Sequence, residues 1–152
     1  MSRVWTLTIL APCEWLLANR NSAHQRFTRS RLTRLWRAAI VEVCRDGQLP
    51  QGLDLIAVDG IARFRGRPPV RDRENLRPTL KAAIDGLTAP RRYGKAEHPA
   101  PGYGLIVDDS DKHLAPGTDI RIGEPLPKST IPDHPGLLIL TIREIARQNV
   151  LF

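Results

Sequence analysis

An α/β fold of the α+β kind, with one mixed sheet of about four to five strands and two main helices packed on it, is what this 152-residue sequence predicts. Three observations carry that expectation. Two stretches repeat apolar residues at three- and four-residue spacing, the period of a helix with one buried face. Several others alternate apolar and polar residues with period two, as half-buried strands do. The length suits one hydrophobic core rather than two, so residues 1–152 read as a single domain.

Val4–Leu10 alternates and Pro12 ends it; no small-residue cleavage site follows, so it reads as a first strand and not a signal peptide. Asn19–Thr28 is polar and basic, with Asn19, Arg20, Asn21, His24 and Arg26. Leu32, Leu35, Trp36, Ala39, Ile40, Val43 and Cys44 then mark a helix from near Ser30 to Arg45, closed by Asp46-Gly47. Arg31, Arg34 and Arg37 fall on its other faces, available to solvent or phosphate. In Leu53–Phe64, Ile56, Val58, Ala62 and Phe64 keep one face straight through Asp59-Gly60. One long strand, with Gly60 at a bulge or close contact, fits better than a hairpin.

Pro68-Pro69 breaks that strand, and a second helix follows on Leu76, Leu80, Ala83, Ile84 and Leu87. With Asn75 as N-cap, Pro78 sits in the first turn, where a missing N–H is harmless. Leu105–Val107, Thr118–Ile122 and Leu137–Ile145 complete the order β-α-β-α-β-β-β.

Composition narrows the function. Apolar residues at 41% and charged residues at 26% exclude a wholly disordered chain. The longest apolar stretches, such as Gly136–Ile142, fall far short of the roughly 20 residues that cross a bilayer, so no membrane partner is expected. The net charge is +7, and four of the 23 bases are lysines, leaving 19 arginines. Guanidinium groups grip phosphate with a planar fork of donors, so nucleic acid is the partner that this charge suggests. Cys13 and Cys44 form no CxxC and have no histidine at zinc spacing, which points to free thiols in a reducing cytoplasm. His24, His98, His113 and His134 show no nucleophile-and-base arrangement, and Trp15 and Trp36 read as core.

In so basic a chain, clustered acids need a reason. Asp72 and Glu74, two apart in an extended segment, point to the same side just before the second helix. Asp108, Asp109 and Asp111 end a strand some 35 residues later. Carboxylates gathered at one sheet edge repel unless they hold a cation, and hard oxygen donors in that number suit Mg2+ or Mn2+. Such an ion activates water and stabilises charge at a scissile phosphate. Ordinary readings stand beside this one. Acids at a helix start favour the macrodipole, Asp-Asp-Ser-Asp is a common exposed turn, and Lys81 makes an i,i+4 surface pair with Asp85.

Three pieces taken in order carry a family resemblance: Asp72-Arg-Glu74-Asn75-Leu76, then Lys81-Ala-Ala-Ile-Asp85-Gly-Leu87, then Val107-Asp108-Asp109-Ser110. Together they resemble the RusA-type Holliday junction resolvases, whose signature is Asp-x-Asp-Asn at a helix start, a Lys-Ala-x-x-Asp-x-Leu helix, and an Asp-Asp pair after a loop. The likeness extends over most of the chain, with 72–87 and 107–110 its specific parts. It implies a homodimeric, Mg2+-dependent endonuclease (Mn2+ as a substitute) that cuts four-way DNA junctions by paired symmetric nicks in the cytoplasm of a bacterium or a phage host. It also implies that Asp72, Glu74 and Asp109 are the catalytic and metal-binding acids, with Asp108 beside them, and that Lys81 is the catalytic lysine. Asn75 and Asp85 match supporting positions.

The chain departs from the signature in three ways. Glu74 stands where the second acid is Asp, five residues separate Asn75 from Lys81 where the best-known form has two, and the loop Pro90–Gly104 is long and basic. This looser spacing resembles variants of phages and actinobacteria. In that reading Arg65, Arg67, Arg71 and Arg73, with Arg63 before them, bring a phosphate to the acids. Asn75 joins those contacts, while Arg26, Arg31, Arg34, Arg91 and Arg92 hold the junction arms. Two alternatives stay open: a non-catalytic DNA-binding or recombination accessory protein of the same fold, and a nuclease for other branched or flap DNA.

Overall fold

The structure, a computed structural model, describes residues 2–18 and 26–147. Asn19, Arg20, Asn21 and His24 of the polar stretch, and the side chain of Arg26, lie outside that set. In chain order the elements are β1 (Val4–Leu10), α1 (Arg26–Asp46), β2 (Ile56–Phe64), α2 (Arg77–Leu87), β3 (Asp119–Ile122) and β4 (Gly136–Glu144), with a 3-10 turn, Arg73–Leu76, directly before α2.

The fold class is as expected: one mixed sheet of four strands, ordered β1-β4-β2-β3, with two helices packed on it. β4 runs antiparallel to both β1 and β2, and β3 runs parallel to β2 along the outer edge. The last strand in sequence lies inside the sheet because it is the most apolar: Leu138, Leu140 and Ile142 are fully buried. In β2 the predicted face is the buried one, with Ile56, Val58, Gly60, Ala62 and Phe64 inward and Asp59 exposed. A side-chain carbon at Gly60 would lie 3.5 Å from Leu80 of α2, so this face carries the helices. On the opposite face, Val4 and Leu10 are exposed and Ile61, Leu137 and Ile139 half-buried.

Helix α1 begins at Arg26, a turn before the expected Ser30, since Thr28 and Arg29 leave no apolar mark there. Its buried stripe is the expected one, and Trp36 is fully buried against Trp15, ring centroids 5.1 Å apart. Trp15 in turn meets Phe64 edge-on at 4.9 Å. Arg37, expected on an open face, is buried instead, at 3% exposure. The helices cross at Gly86, where an added Cβ would come within 2.8 Å of the Ile40 Cβ. Cys13 and Cys44 are free thiols; burial pushes the first up to about 11 and the second up to about 12, so neither is a thiolate at neutral pH.

Four further expectations are corrected. Of the two readings of Gly60, the bulge is not formed, because β2 pairs one-to-one with β4 from Ile56↔Glu144 to Phe64↔Gly136, and a Cβ there would meet Ile120 and Leu80 at an ordinary packing distance of 3.4–3.5 Å. β2 starts at Ile56 rather than Leu53, whose N–H bonds the Leu105 carbonyl. Asn75 is not the N-cap: the Asp72 carboxylate accepts the Glu74 N–H at 2.9 Å and caps the 3-10 turn, which leads into α2 with Pro78 in its first turn. Leu105–Val107 is not a strand. Leu105 and Ile106 are apolar because they are buried under the end of α2, where their N–H groups bond the Leu87 carbonyl. A three-residue apolar run has no period that separates these outcomes.

Candidate functional site

Helix α2 presents Arg77, Lys81 and Asp85 at i, i+4 and i+8 on the side away from its buried residues Leu80, Ala83, Ile84 and Leu87. Two clusters of charge are built along that side. The first is at the helix start. Arg77 pairs with Glu74 at 3.0 Å, and Arg73 pairs with Asp119 at 2.9 Å. Arg77 also comes within 3.8 Å of Asp119. The Glu74 bond raises the Arg77 pKa.

The second cluster lies one to two turns on. The Lys81 ammonium donates to Asp85 at 2.7 Å and to Asp109, so a single lysine sits between two carboxylates. Burial is the largest single influence on Lys81 and pulls its pKa down. The bonds to Asp109 and Asp85 together outweigh it, and the net shift is upward. The Lys81 bond holds the Asp109 carboxyl below its ordinary value, partly opposed by burial. Asp108 is also lowered, chiefly by its hydrogen bonds with Ser110.

Asp109 reaches Lys81 through the end of the helix. The last carbonyls of an α-helix lack internal partners, and here a strap of chain supplies them. Tyr103 N–H bonds the Gly86 carbonyl at 2.9 Å, Leu105 N–H the Leu87 carbonyl at 2.8 Å, and Gly104 N–H the Thr88 carbonyl at 3.0 Å. Gly102 allows the strap to lie this close, since a Cβ there would fall 2.2 Å from the Thr88 carbonyl oxygen. Leu105 and Ile106 anchor it in the core, and the chain then surfaces at Val107-Asp108-Asp109 beside Lys81.

Of the predicted catalytic residues, the structure thus brings Lys81 and Asp109 together and leaves Asp72 and Glu74 with partners of their own at the helix start. No group of three or more His, Cys, Asp or Glu among the described residues is placed to hold a metal ion. In this arrangement the four acids Asp72, Glu74, Asp108 and Asp109 therefore do not form one ligand set. The sequence reading missed Asp119 and Arg77. Arg77 is readable as an i+3 partner of Glu74, but Asp119 is brought in by the parallel pairing of β3 with β2, which leaves no local signal.

The predicted DNA-contact residues scatter over the surface. Arg31, Arg67, Arg71 and Arg92 are exposed. Arg65 donates to the Pro132 carbonyl at 2.7 Å, Arg34 to the Pro99 carbonyl at 3.5 Å, and Arg73 is taken up by Asp119. Arg91 lies over the Tyr93 ring at 5.3 Å. Asn75 is half-buried, and its backbone carbonyl accepts the Ala18 N–H at 3.0 Å. Among the described residues no helix is long and apolar enough to cross a membrane. Compared with known proteins, the chain matches no family model and no curated relative.

Proposed function

We propose that this chain is a metal-dependent, structure-specific DNA endonuclease of the RusA type that nicks four-way junctions as a homodimer in the cytoplasm. One observation carries the reading. Lys81 and Asp109, which the resemblance names as catalytic, are 28 residues apart in sequence and meet through a strap that does not depend on either side chain. The surface arginines support it by offering sequence-independent phosphate contacts.

Lys81 is placed to face a phosphate oxygen as negative charge develops there, while Asp109 and Asp85 keep it protonated. Mg2+ or Mn2+ bound near the acids would supply an activated water and charge neutralisation. The acids as placed do not converge on one point. The same separation of Asp72 and Glu74 from Asp109 favours the second reading, a DNA-binding accessory protein without catalysis.

Two cuts on a two-fold junction call for an isologous dimer. The sheet face opposite the helices, where Val4, Leu10, Ile61, Leu137 and Ile139 stand among Thr6, Thr8, Asp59, Arg63, Arg121 and Arg143, is the surface on which a second copy would seat. With strands about 4.8 Å apart, two of nine residues, one of seven and one of four, that face is about 460 Å² in plan, less than the roughly 800 Å² that each partner of a standard-size complex buries.

The test is to incubate the protein with a synthetic four-way junction in Mg2+ and in EDTA, beside Asp72→Asn and Asp109→Asn variants. Paired nicks in Mg2+ only, reduced on the order of 100-fold or more in either variant, are expected. Binding without Mg2+-dependent nicking leaves the accessory reading. Equal cutting by the variants removes the site assignment, and equal cutting of flaps favours the broader nuclease. Sedimentation as a monomer at cutting concentrations overturns the dimer.

A further inference from the structure

Arg37 is the only charged residue among the described residues that is buried. A buried guanidinium ordinarily has a carboxylate partner, because stripping water from a charge is costly. Arg37 has none. Its Nε donates to the Pro101 carbonyl at 2.7 Å and its Nη1 reaches the Tyr93 hydroxyl at a long 3.4 Å. Its Nη2 is shielded from solvent and makes no hydrogen bond. An unmet charged donor in such a place is expensive; because Nη2 is closed to solvent, an anionic oxygen would reach this guanidinium at Nη1, in the place of the Tyr93 hydroxyl.

Arg37 also lines a cavity of about 410 Å³ between α1 and the loop Pro90–Gly104. Ser30, Thr33 and Arg34 of α1 form one wall, and Tyr93 and His98 of the loop form the other. Reciprocal backbone bonds between Arg91 and Ala100, at 2.7 and 3.2 Å, tie the two ends of the loop together. One acid, Asp85, shares the lining and shares the Lys81 ammonium with Asp109, so two arginines, Arg34 and Arg37, stand against one carboxylate in the cavity wall. Tyr93 is 52% exposed and holds Arg37 only through the long bond, which makes its hydroxyl the group that an incoming oxygen displaces.

We propose that this cavity is a phosphate-binding site, with an anionic oxygen on the Arg37 guanidinium and donors from Ser30, Thr33 and His98 around it. Through Asp85 the cavity is one side chain away from the Lys81–Asp109 pair. In the nuclease reading, on which only this step rests, the ligand is a backbone phosphate of the strand held for cutting. The same chemistry would also take the phosphate of a free nucleotide, and the experiment separates the two sources.

The full chain, an Arg37→Gln variant and a Ser30→Ala/His98→Ala variant are compared in two arms. The double variant changes exposed side chains and guards against loss of folding in the first. In one arm, thermal unfolding is followed with inorganic phosphate or thymidine 5′-monophosphate against chloride at equal ionic strength. In the other, affinity for a four-way junction is measured by fluorescence anisotropy in EDTA. A phosphate-specific rise in Tm of the unmodified protein, absent or weakened about tenfold in both variants, is expected. So is weaker junction binding by both variants. A phosphate response with no DNA binding keeps the site, assigns it to a free phosphate compound and removes the nuclease reading. DNA binding that is equal in all three proteins, with no phosphate-specific shift, overturns the site and leaves the nuclease reading standing.

Discussion

The two ends of α2 carry similar charges but hold them by different means. At the start, Glu74 meets Arg77 at i,i+3, and Asp119 meets Arg73 and Arg77 because β3 is in register with β2. All four side chains are at least 40% exposed, and the pairs are of the kind that many helix starts make. At the Lys81 end, the acid that matters is carried on a strap bonded to the last carbonyls of the helix and pinned by Leu105 and Ile106. The position of Asp109 is therefore tied to the core, whereas that of Glu74 is tied to its own turn. A candidate site whose geometry depends on buried packing is preorganised in a way that a surface ion pair is not.

The largest expected effect tests that dependence. Leu105→Ala removes a fully buried anchor and should cost about 2–5 kcal/mol in chemical denaturation. If it costs less than about 1 kcal/mol, the strap is not held by the core and the contrast between the two ends fails.

A smaller effect separates the ion pairs themselves. A double-mutant cycle on Lys81→Met and Asp109→Asn should give a coupling of about 0.5–1 kcal/mol, as the pair is more than a third exposed on both sides. Its pH dependence has a defined window. Asp109 is lowered from 3.8, so its contribution is complete above that value and disappears as pH falls through the lowered pKa. Lys81 is raised from 10.5, so its contribution is complete below that value and disappears as pH rises through the raised pKa. The coupling should be flat between these limits; a change near neutral pH would show that another group controls the pair.

The smallest effect belongs to the helix start. The corresponding cycle on Glu74→Gln and Arg77→Met should return about 0.2–0.5 kcal/mol and decline with added salt. A coupling as large as that of Lys81–Asp109 would erase the energetic difference between the two ends.

Particular elements show why some of this was legible in advance. The apolar stripe of α1 and the single buried face of β2 are periodic, and both are as read, Trp36 and Phe64 included. Pro78 was readable as a first-turn residue because its missing N–H suits only that part of a helix. The cap was misread because Asp72 and Asn75 are equally good capping residues, and the choice was made by a 3-10 turn with no sequence signal of its own. Leu105–Val107 was misread because burial under a helix end and burial in a sheet ask for the same residue types. In the candidate site, Lys81 with Asp85 is a helix-spacing pair and was legible; Asp109 at the same ammonium is a tertiary contact and was anticipated only through family likeness.

By itself, then, the sequence determined what depends on neighbours along the chain: the helices and strands, which face of each is buried, and a surface rich in arginine. Those follow from periodicity and charge, which act over a few residues. Only the tertiary structure decided that Asp109 meets Lys81, that Asp119 joins the start of α2, and that Arg37 is buried with a donor left unmet. These depend on how the strap closes α2, on the register of β3 and on how the loop folds over α1, distances through space that no local pattern records.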